Sequence, residues 1–329
     1  MKVALIVLAV VFVLLCILEV GLRSRFGFGN PLIYVADAEI GYLLGPNQRT
    51  RRFGNRIEIN EYSMRGGTIS ATCPESTLRV LLLGDSIANG GWWTDQDKTL
   101  SAIMASQIKS TFAQDAFTKV EVLNASANSW GPRNELAYLK RFGTFGAQLV
   151  VLLINTDDLF ATAPSSLQVG RDRNYPAKKP LWALQEVFTR YVLPAPNIPE
   201  LENLNQESGD RVGLNLTAIG EIQAIAKSSN SKFLLAMTPL LREVGFPGPR
   251  DYEIKERQRL TEFTTSNQIL YLDFLPLFNS AESKESLYRD HIHLSYQGNW
   301  QVSQTITQSV GQLLEAQISA IIDREEKIG

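Results

Sequence analysis

Ser86 closes the stretch Arg79-Val-Leu-Leu-Leu-Gly-Asp-Ser86, and both histidines of the chain fall far downstream in Tyr288-Arg-Asp-His-Ile-His-Leu-Ser-Tyr-Gln-Gly298. A serine hydroxyl becomes a nucleophile when an imidazole takes its proton, and the imidazole serves best when a third group fixes its tautomer. Asp290, three residues before His293, can reach Nδ1 across one turn and leave Nε2 facing outward. Ser86 as nucleophile, His293 as base and Asp290 as its orienter therefore make an acyl-transfer arrangement. His291 competes as base, although its place next to Asp290 points it away from that carboxylate in a turn. Taken separately, Gly-Asp-Ser reads as a helix cap and the histidine pair as a solvated turn. The two motifs together, in this chain order, favour chemistry.

These residues need a frame that brings positions some two hundred residues apart to one rim. Val80 to Leu83 is a short apolar run stopped by glycine, which predicts a buried strand with Ser86 at its carboxyl end. Further strands are predicted at Val120 to Leu123, Gln148 to Ile154, Lys232 to Met237 and Ile269 to Leu272. Helices are predicted at Leu100 to Phe112, Glu135 to Phe142, Leu216 to Ala226, Tyr252 to Thr265 and Gln301 to Ile321. Strand and helix alternate, so the expected fold is α/β: a doubly wound, flavodoxin-like, mostly parallel sheet with helices on both faces. Right-handed crossovers then gather the carboxyl ends of the strands at one edge, where ligands bind in such sheets.

At this point the chain resembles the SGNH or GDSL-type esterases and acylhydrolases. Gly84-Asp85-Ser86 is similar to the first block of that family and Asp290-His291-Ile292-His293 to its Asp-x-x-His block. Val122-Leu-Asn-Ala-Ser-Ala-Asn-Ser-Trp-Gly-Pro132 resembles the second block, and Val150-Val-Leu-Leu-Ile-Asn-Thr-Asp-Asp158 the third. The resemblance covers about residues 30 to 315. It implies a serine ester hydrolase working through an acyl-enzyme, with Ser86, His293 and Asp290 as the triad and an O-acyl substrate, such as an acetyl on a glycan or a lipid acyl chain. An acyltransferase on envelope glycans would use the same residues.

The implied oxyanion hole departs from the family. The glycine N–H expected five residues after Asn124 falls on Ser129, with a glycine only at Gly131. The Gly-x-Asn-Asp pattern falls on Asn155-Thr156-Asp157-Asp158, so Asp157 stands where a donating asparagine belongs. An ionised carboxylate donates nothing and repels an oxyanion. Asp157 held protonated, Asn155 as substitute donor, or backbone N–H groups alone (Ser86, Ser129, Gly131) remain the alternatives. A non-catalytic glycan- or lipid-binding member with a decayed hole is the rival reading.

Composition bounds the rest. With 32 basic and 34 acidic residues in 329, net charge −2, no nucleic-acid partner is indicated. The two cysteines, Cys16 and Cys73, make neither a metal spacing nor a disulfide framework, and no cofactor is indicated. Val3 to Leu18 is a run of 16 apolar residues behind Lys2. Residues 1–25 thus read as a membrane anchor or signal sequence, with an uncleaved anchor favoured because no Ala-x-Ala-like site follows. Lys2 favours a cytoplasmic start, whereas Arg23 and Arg25 pull the other way. The expectation is a membrane-anchored, extracytoplasmic protein. Residues 26–78 read as an approach segment that packs on the catalytic domain, with Arg56 to Asn60 as an edge strand. That domain is expected over 79–320, interrupted by a proline- and aromatic-rich insertion at about 161–211. The insertion is either a lid or substrate-binding element, or a solvated loop with one amphipathic helix at Leu181 to Val192.

Overall fold

The computed structural model describes residues 1–111 and 117–326, and side chains as far as residue 315. In chain order the strands are β1 Tyr34–Asp37, β2 Gly41–Leu44, β3 Gln48–Arg52, β4 Asn55–Ile59, β5 Thr77–Gly84, β6 Lys119–Ser126, β7 Leu149–Asn155, β8 Lys232–Thr238 and β9 Leu270–Asp273. The helices are α1 Lys2–Gly21, α2 Ser86–Asn89, α3 Leu100–Thr111, α4 Pro132–Phe142, α5 Ala183–Val187, α6 Pro199–Asn205, α7 Arg211–Ser228, α8 Asp251–Ser266, α9 Leu275–Asn279 and α10 Tyr296–Glu326.

Strands β5 to β9 form one sheet in the order β6-β5-β7-β8-β9, all parallel. This is the flavodoxin-like order, with the direction of winding reversing between β5 and β7. Every residue of β5 and of β7 is buried, as expected of strands covered on both faces. Alternate residues serve the two faces. Leu81, Leu83, Val150 and Leu152 pack under α4 and α7, whereas Val80, Leu82, Val151 and Leu153 pack under α3 and α10. The register sets Gly84 level with Ser126 and Leu153, so the loops that follow these strands leave from one edge. The predicted strands and helices are all present, displaced by a few residues at their ends. The helix expected over Leu100 to Phe112 is α3, and Phe112 lies outside the described residues.

The stretch before β5 differs from its reading as linker with one edge strand. It holds two antiparallel hairpins, β1–β2 and β3–β4, and Tyr34, Tyr42, Leu44 and Ile57 enter the core. Strands of four or five residues, with arginines concentrated in β3, carry weak periodicity; burial against the rest of the fold completes them. The amphipathic helix expected at Leu181 to Val192 begins as α5 and loosens into a wider helical turn over residues 188–192.

Candidate active site

The turn carrying Ser86 is forced by close packing. A side chain on Gly84 would place its Cβ 2.8 Å from the Leu153 carbonyl oxygen and 2.8 Å from the Ala88 Cβ. Asp85 caps the short α2, its Oδ1 accepting the Ile87 N–H at 2.7 Å. Asn124, from β6, donates to the Ala88 carbonyl at 2.7 Å, and Asn89 donates to the Ser126 carbonyl at 3.1 Å, tying the turn to its neighbouring strand. The Ser86 hydroxyl stands at the rim above the sheet, mostly buried.

His293 arrives on the loop before α10. Its Nε2 lies 3.0 Å from Ser86 Oγ, and its Nδ1 lies 3.0 Å and 2.9 Å from the two Asp290 oxygens. Asp290 Oδ1 also accepts the backbone N–H groups of Ile292 at 3.1 Å and His293 at 2.9 Å, so one carboxylate folds the turn and orients the ring. Partial burial pulls the Asp290 carboxyl upward, but these N–H groups and the His293 ring outweigh it, and its pKa lies below the usual value. An ionised Asp290 accepts Nδ1–H, which leaves Nε2 to accept the serine proton. Trp93 packs on the imidazole at 4.4 Å between ring centroids, and Arg289 caps Trp93 at 4.8 Å. The competing His291 has a side chain 85% exposed, with Nδ1 3.9 Å from Asp290. It is not brought to the serine.

The opposite wall is built from the second and third blocks. Ser129 adopts a left-handed backbone, φ 58°, the conformation a glycine takes without cost. Its Oγ accepts a hydrogen bond from the Tyr175 hydroxyl at 2.9 Å. The backbone N–H groups of Ser86 and Ser129 have no acceptor among the described residues. Gly131 is differently occupied: its N–H donates to Asn134 Oδ1 at 3.1 Å, at the start of α4, and it packs against Ala161. Asn155 is buried, with Nδ2 donating to Asp85 Oδ2 and to Asp158 Oδ2, both at 2.9 Å. Both amide hydrogens are spent, so Asn155 has none for a substrate oxygen, and neither it nor Gly131 supplies the donor expected from the sequence. Asp157 stands partly exposed on this wall; incomplete desolvation lifts its carboxyl above the usual value, while the nearby Arg242 charge pulls it back. Burial also raises Asp85 and Asp158, the Asp85 charge pushes Asp158 further up, and the Asn155 amide bridges the two.

Two clefts meet at this point. One, of about 620 Å³, is walled by Phe53, Trp92, Trp93, Arg190 and Tyr191. The other, of about 470 Å³, is bounded by Asp157, Asp158, Gln168 and Arg211 together with Phe160 and Leu204. Ser86, Ser129 and Tyr175 border both. Among the described residues no group of three or more His, Cys, Asp or Glu side chains is arranged to hold a metal ion.

A family model described as GDSL-like lipase/acylhydrolase matches residues 82–301. The chain belongs to this family. Membership places it among the acylhydrolases, whose common chemistry is ester cleavage. Solved structures with a similar fold include an acetylxylan esterase from Geobacillus stearothermophilus, 11% identical, covering 71% of this chain and 94% of its own, with a TM-score of 0.46. A second acetyl xylan esterase is 14% identical, covers 71% and 100%, and has a TM-score of 0.46. A lipase/acylhydrolase from Enterococcus faecalis is 13% identical, covers 71% and 95%, and has a TM-score of 0.42. No curated protein sequence matches the chain.

Sequence reasoning missed what the approach segment does for this acylhydrolase. The Trp130 indole donates to the Tyr42 carbonyl at 3.0 Å, and the Tyr42 hydroxyl donates to the Asn128 carbonyl at 2.5 Å, so β2 shapes the loop holding Ser129. Buried Arg65 donates to the carbonyls of Asn89 at 3.0 Å, Thr94 at 2.5 Å and Gly91, fixing the loop that carries Trp92 and Trp93. Burial without a paired carboxylate pulls its guanidinium down to about 10. Its partners are backbone carbonyls, which no residue spacing reveals.

Proposed function

We propose that the protein is a serine esterase or acylhydrolase in which Ser86 attacks the carbonyl carbon of an O-acyl ester. His293 Nε2 takes the hydroxyl proton, Asp290 stabilises the resulting imidazolium, and the N–H groups of Ser86 and Ser129 receive the oxyanion. Collapse of the tetrahedral species breaks the ester bond, and His293 returns the proton to the departing alcohol. Water, activated by the same imidazole, then releases the acid from the acyl-serine. The observation that carries this reading is the 3.0 Å contact between Ser86 Oγ and His293 Nε2 with Asp290 bonded behind it. Two clefts that share Ser86 suit a substrate with two unlike halves, an acyl part and an alcohol part. Where the alcohol is a glycan, a sugar hydroxyl in place of water would turn the same steps into acyl transfer.

We place α1 across a membrane, with the rest of the chain on the extracytoplasmic side and residues 161–211 as the element covering the site. In support, an 18-residue window within the helical stretch Lys2–Phe26 has a mean hydropathy of 3.3, and only 6% of that window is buried against the protein. Asp157 favours one rival, a binding protein without turnover, because a carboxylate lining the cleft beside Ser86 opposes negative charge that develops there. A fluorophosphonate probe separates the two: rapid labelling that disappears in Ser86→Ala is expected of the esterase, and an unlabelled wild-type protein across pH 6 to 9 would leave the binding protein as the surviving reading.

A further inference from the structure

The insertion is bonded to the end of the apolar helix. Glu19, buried two residues before α1 ends, accepts the backbone N–H groups of Ala183 at 2.8 Å and Leu184 at 2.9 Å, and so caps α5 from another element. Arg23 Nη2 donates to the Leu181 carbonyl at 2.6 Å. At 1.5 Å per residue, the run from Lys2 to Glu19 spans about 25 Å, slightly less than the roughly 30 Å hydrocarbon core of a bilayer. Whatever is bonded to Glu19 therefore lies at the boundary where lipid chains meet headgroups.

The residues presented at that level are apolar and open. Leu181 is 82% exposed, Trp182 61%, Phe188 52% and Val192 63%, on a segment otherwise built to pack. Arg25, Arg51, Lys178 and Lys179 are exposed around them, a charge set that complements lipid phosphates. Tryptophan beside cations is the composition that settles at a membrane interface. From this face a row of rings leads inward. Phe26, at the helix exit, stands 5.8 Å from Phe53; Phe53 is 5.2 Å from Trp92, Trp92 is 5.7 Å from Trp93, and Trp93 is 4.4 Å from His293. From Phe53 inward the row lines the larger cleft, which Arg190 and Tyr191 of the same insertion also line.

We infer that residues 181–193 are a second membrane contact, laid on the bilayer that α1 enters, and that they set the mouth of the larger cleft at the lipid surface. This rests on the esterase reading only for its consequence, that the ester reaches Ser86 from the membrane along the aromatic row. The docking itself rests on the placement of α1 across the membrane, the Glu19 attachment and the exposed face.

The test uses the full chain in vesicles of phosphatidylcholine and phosphatidylglycerol whose acyl chains carry bromine, with Trp182→Phe as the partner variant. Trp182 is one of five tryptophans, and its side chain lines neither cleft. Bromines placed near the carbonyl end of the chains are expected to quench wild-type fluorescence, and a clear part of that quenching should vanish in Trp182→Phe. Equal quenching of the two proteins would overturn the inference. For the consequence, Leu181→Asp with Phe188→Asp should leave hydrolysis of water-soluble p-nitrophenyl acetate unchanged and slow hydrolysis of vesicle-embedded p-nitrophenyl palmitate about tenfold; an equal fall on both would overturn delivery from the membrane. If wild type cleaves neither ester, the esterase reading fails, and the quenching comparison still decides the docking.

Discussion

The two walls that face Ser86 are made in different ways. On the imidazole side, one carboxylate, one ring and two backbone N–H groups close a unit within four residues, Asp290 to His293. On the proposed oxyanion side, the available donors are backbone N–H groups that depend on a left-handed Ser129 and on bonds that other residues have already taken. The first wall is local and tolerates little change of residue type. The second is a product of the whole fold and tolerates substitutions that a motif would count as losses.

The sharpest way to break the contrast is to remove the imidazole side. Ser86→Ala or His293→Ala is expected to lower kcat by roughly 10³ or more, with KM changed far less, as for other serine–histidine pairs. Asp290→Asn should cost about 10²–10⁴ in kcat by favouring the wrong tautomer, whereas His291→Ala should leave turnover within about twofold, since its ring is exposed and makes no hydrogen bond to the serine. Steady-state kinetics on a p-nitrophenyl ester reads all of these.

The oxyanion side should respond in the opposite direction. Asp157→Asn replaces a repelling carboxylate by a donor, and turnover is expected to rise about tenfold or more, within the 10²–10³ that one donor typically contributes. Its pH dependence carries the sign. The Asp157 pKa is raised, so wild type loses the repulsion on acidification, and the ratio of variant to wild-type rate should grow as pH increases through that value and then level off. A fall in turnover at every pH would mean that the carboxylate has a task of its own.

Smaller effects test the backbone. Ser129→Gly should keep turnover and shift the urea midpoint little, because about 1 kcal/mol of relieved left-handed strain is offset by the loss of the Tyr175 hydrogen bond, worth about 0.5–1.5 kcal/mol. Below this wall, Glu135 is fully buried and neither carboxyl oxygen has a hydrogen-bond partner. Burial, reinforced by the Asp85 charge, raises its pKa well above the ordinary value. Unfolded, the group ionises near that ordinary value, so between the two values the native state holds the extra proton and stability falls as pH rises. Glu135→Gln should therefore flatten the decline of Tm between pH 5 and pH 8.

The sheet was legible because β5 is apolar from Val80 to Leu83 and β7 from Leu149 to Ile154, and because glycine at position 84 marks the stop. The triad partners were legible as residue types at a fixed spacing, and the structure brings Ser86, His293 and Asp290 within hydrogen-bond reach of one another. The hairpins before β5 were not, since Arg65 and Tyr42 act through carbonyls that carry no residue identity. Nor could spacing tell that Asn155 and Gly131 had spent their hydrogens on Asp85, Asp158 and Asn134. Side-chain chemistry is written in the sequence, while the accounting of backbone donors is settled only by folding.

The most direct test of the serine–imidazole pair is intact-mass and peptide mapping after brief exposure to a fluorophosphonate, in wild type and in His293→Ala. The account requires one adduct on Ser86 in wild type and its near absence in the variant. An adduct on any other residue, or equal modification of Ser86 without the imidazole, would contradict it.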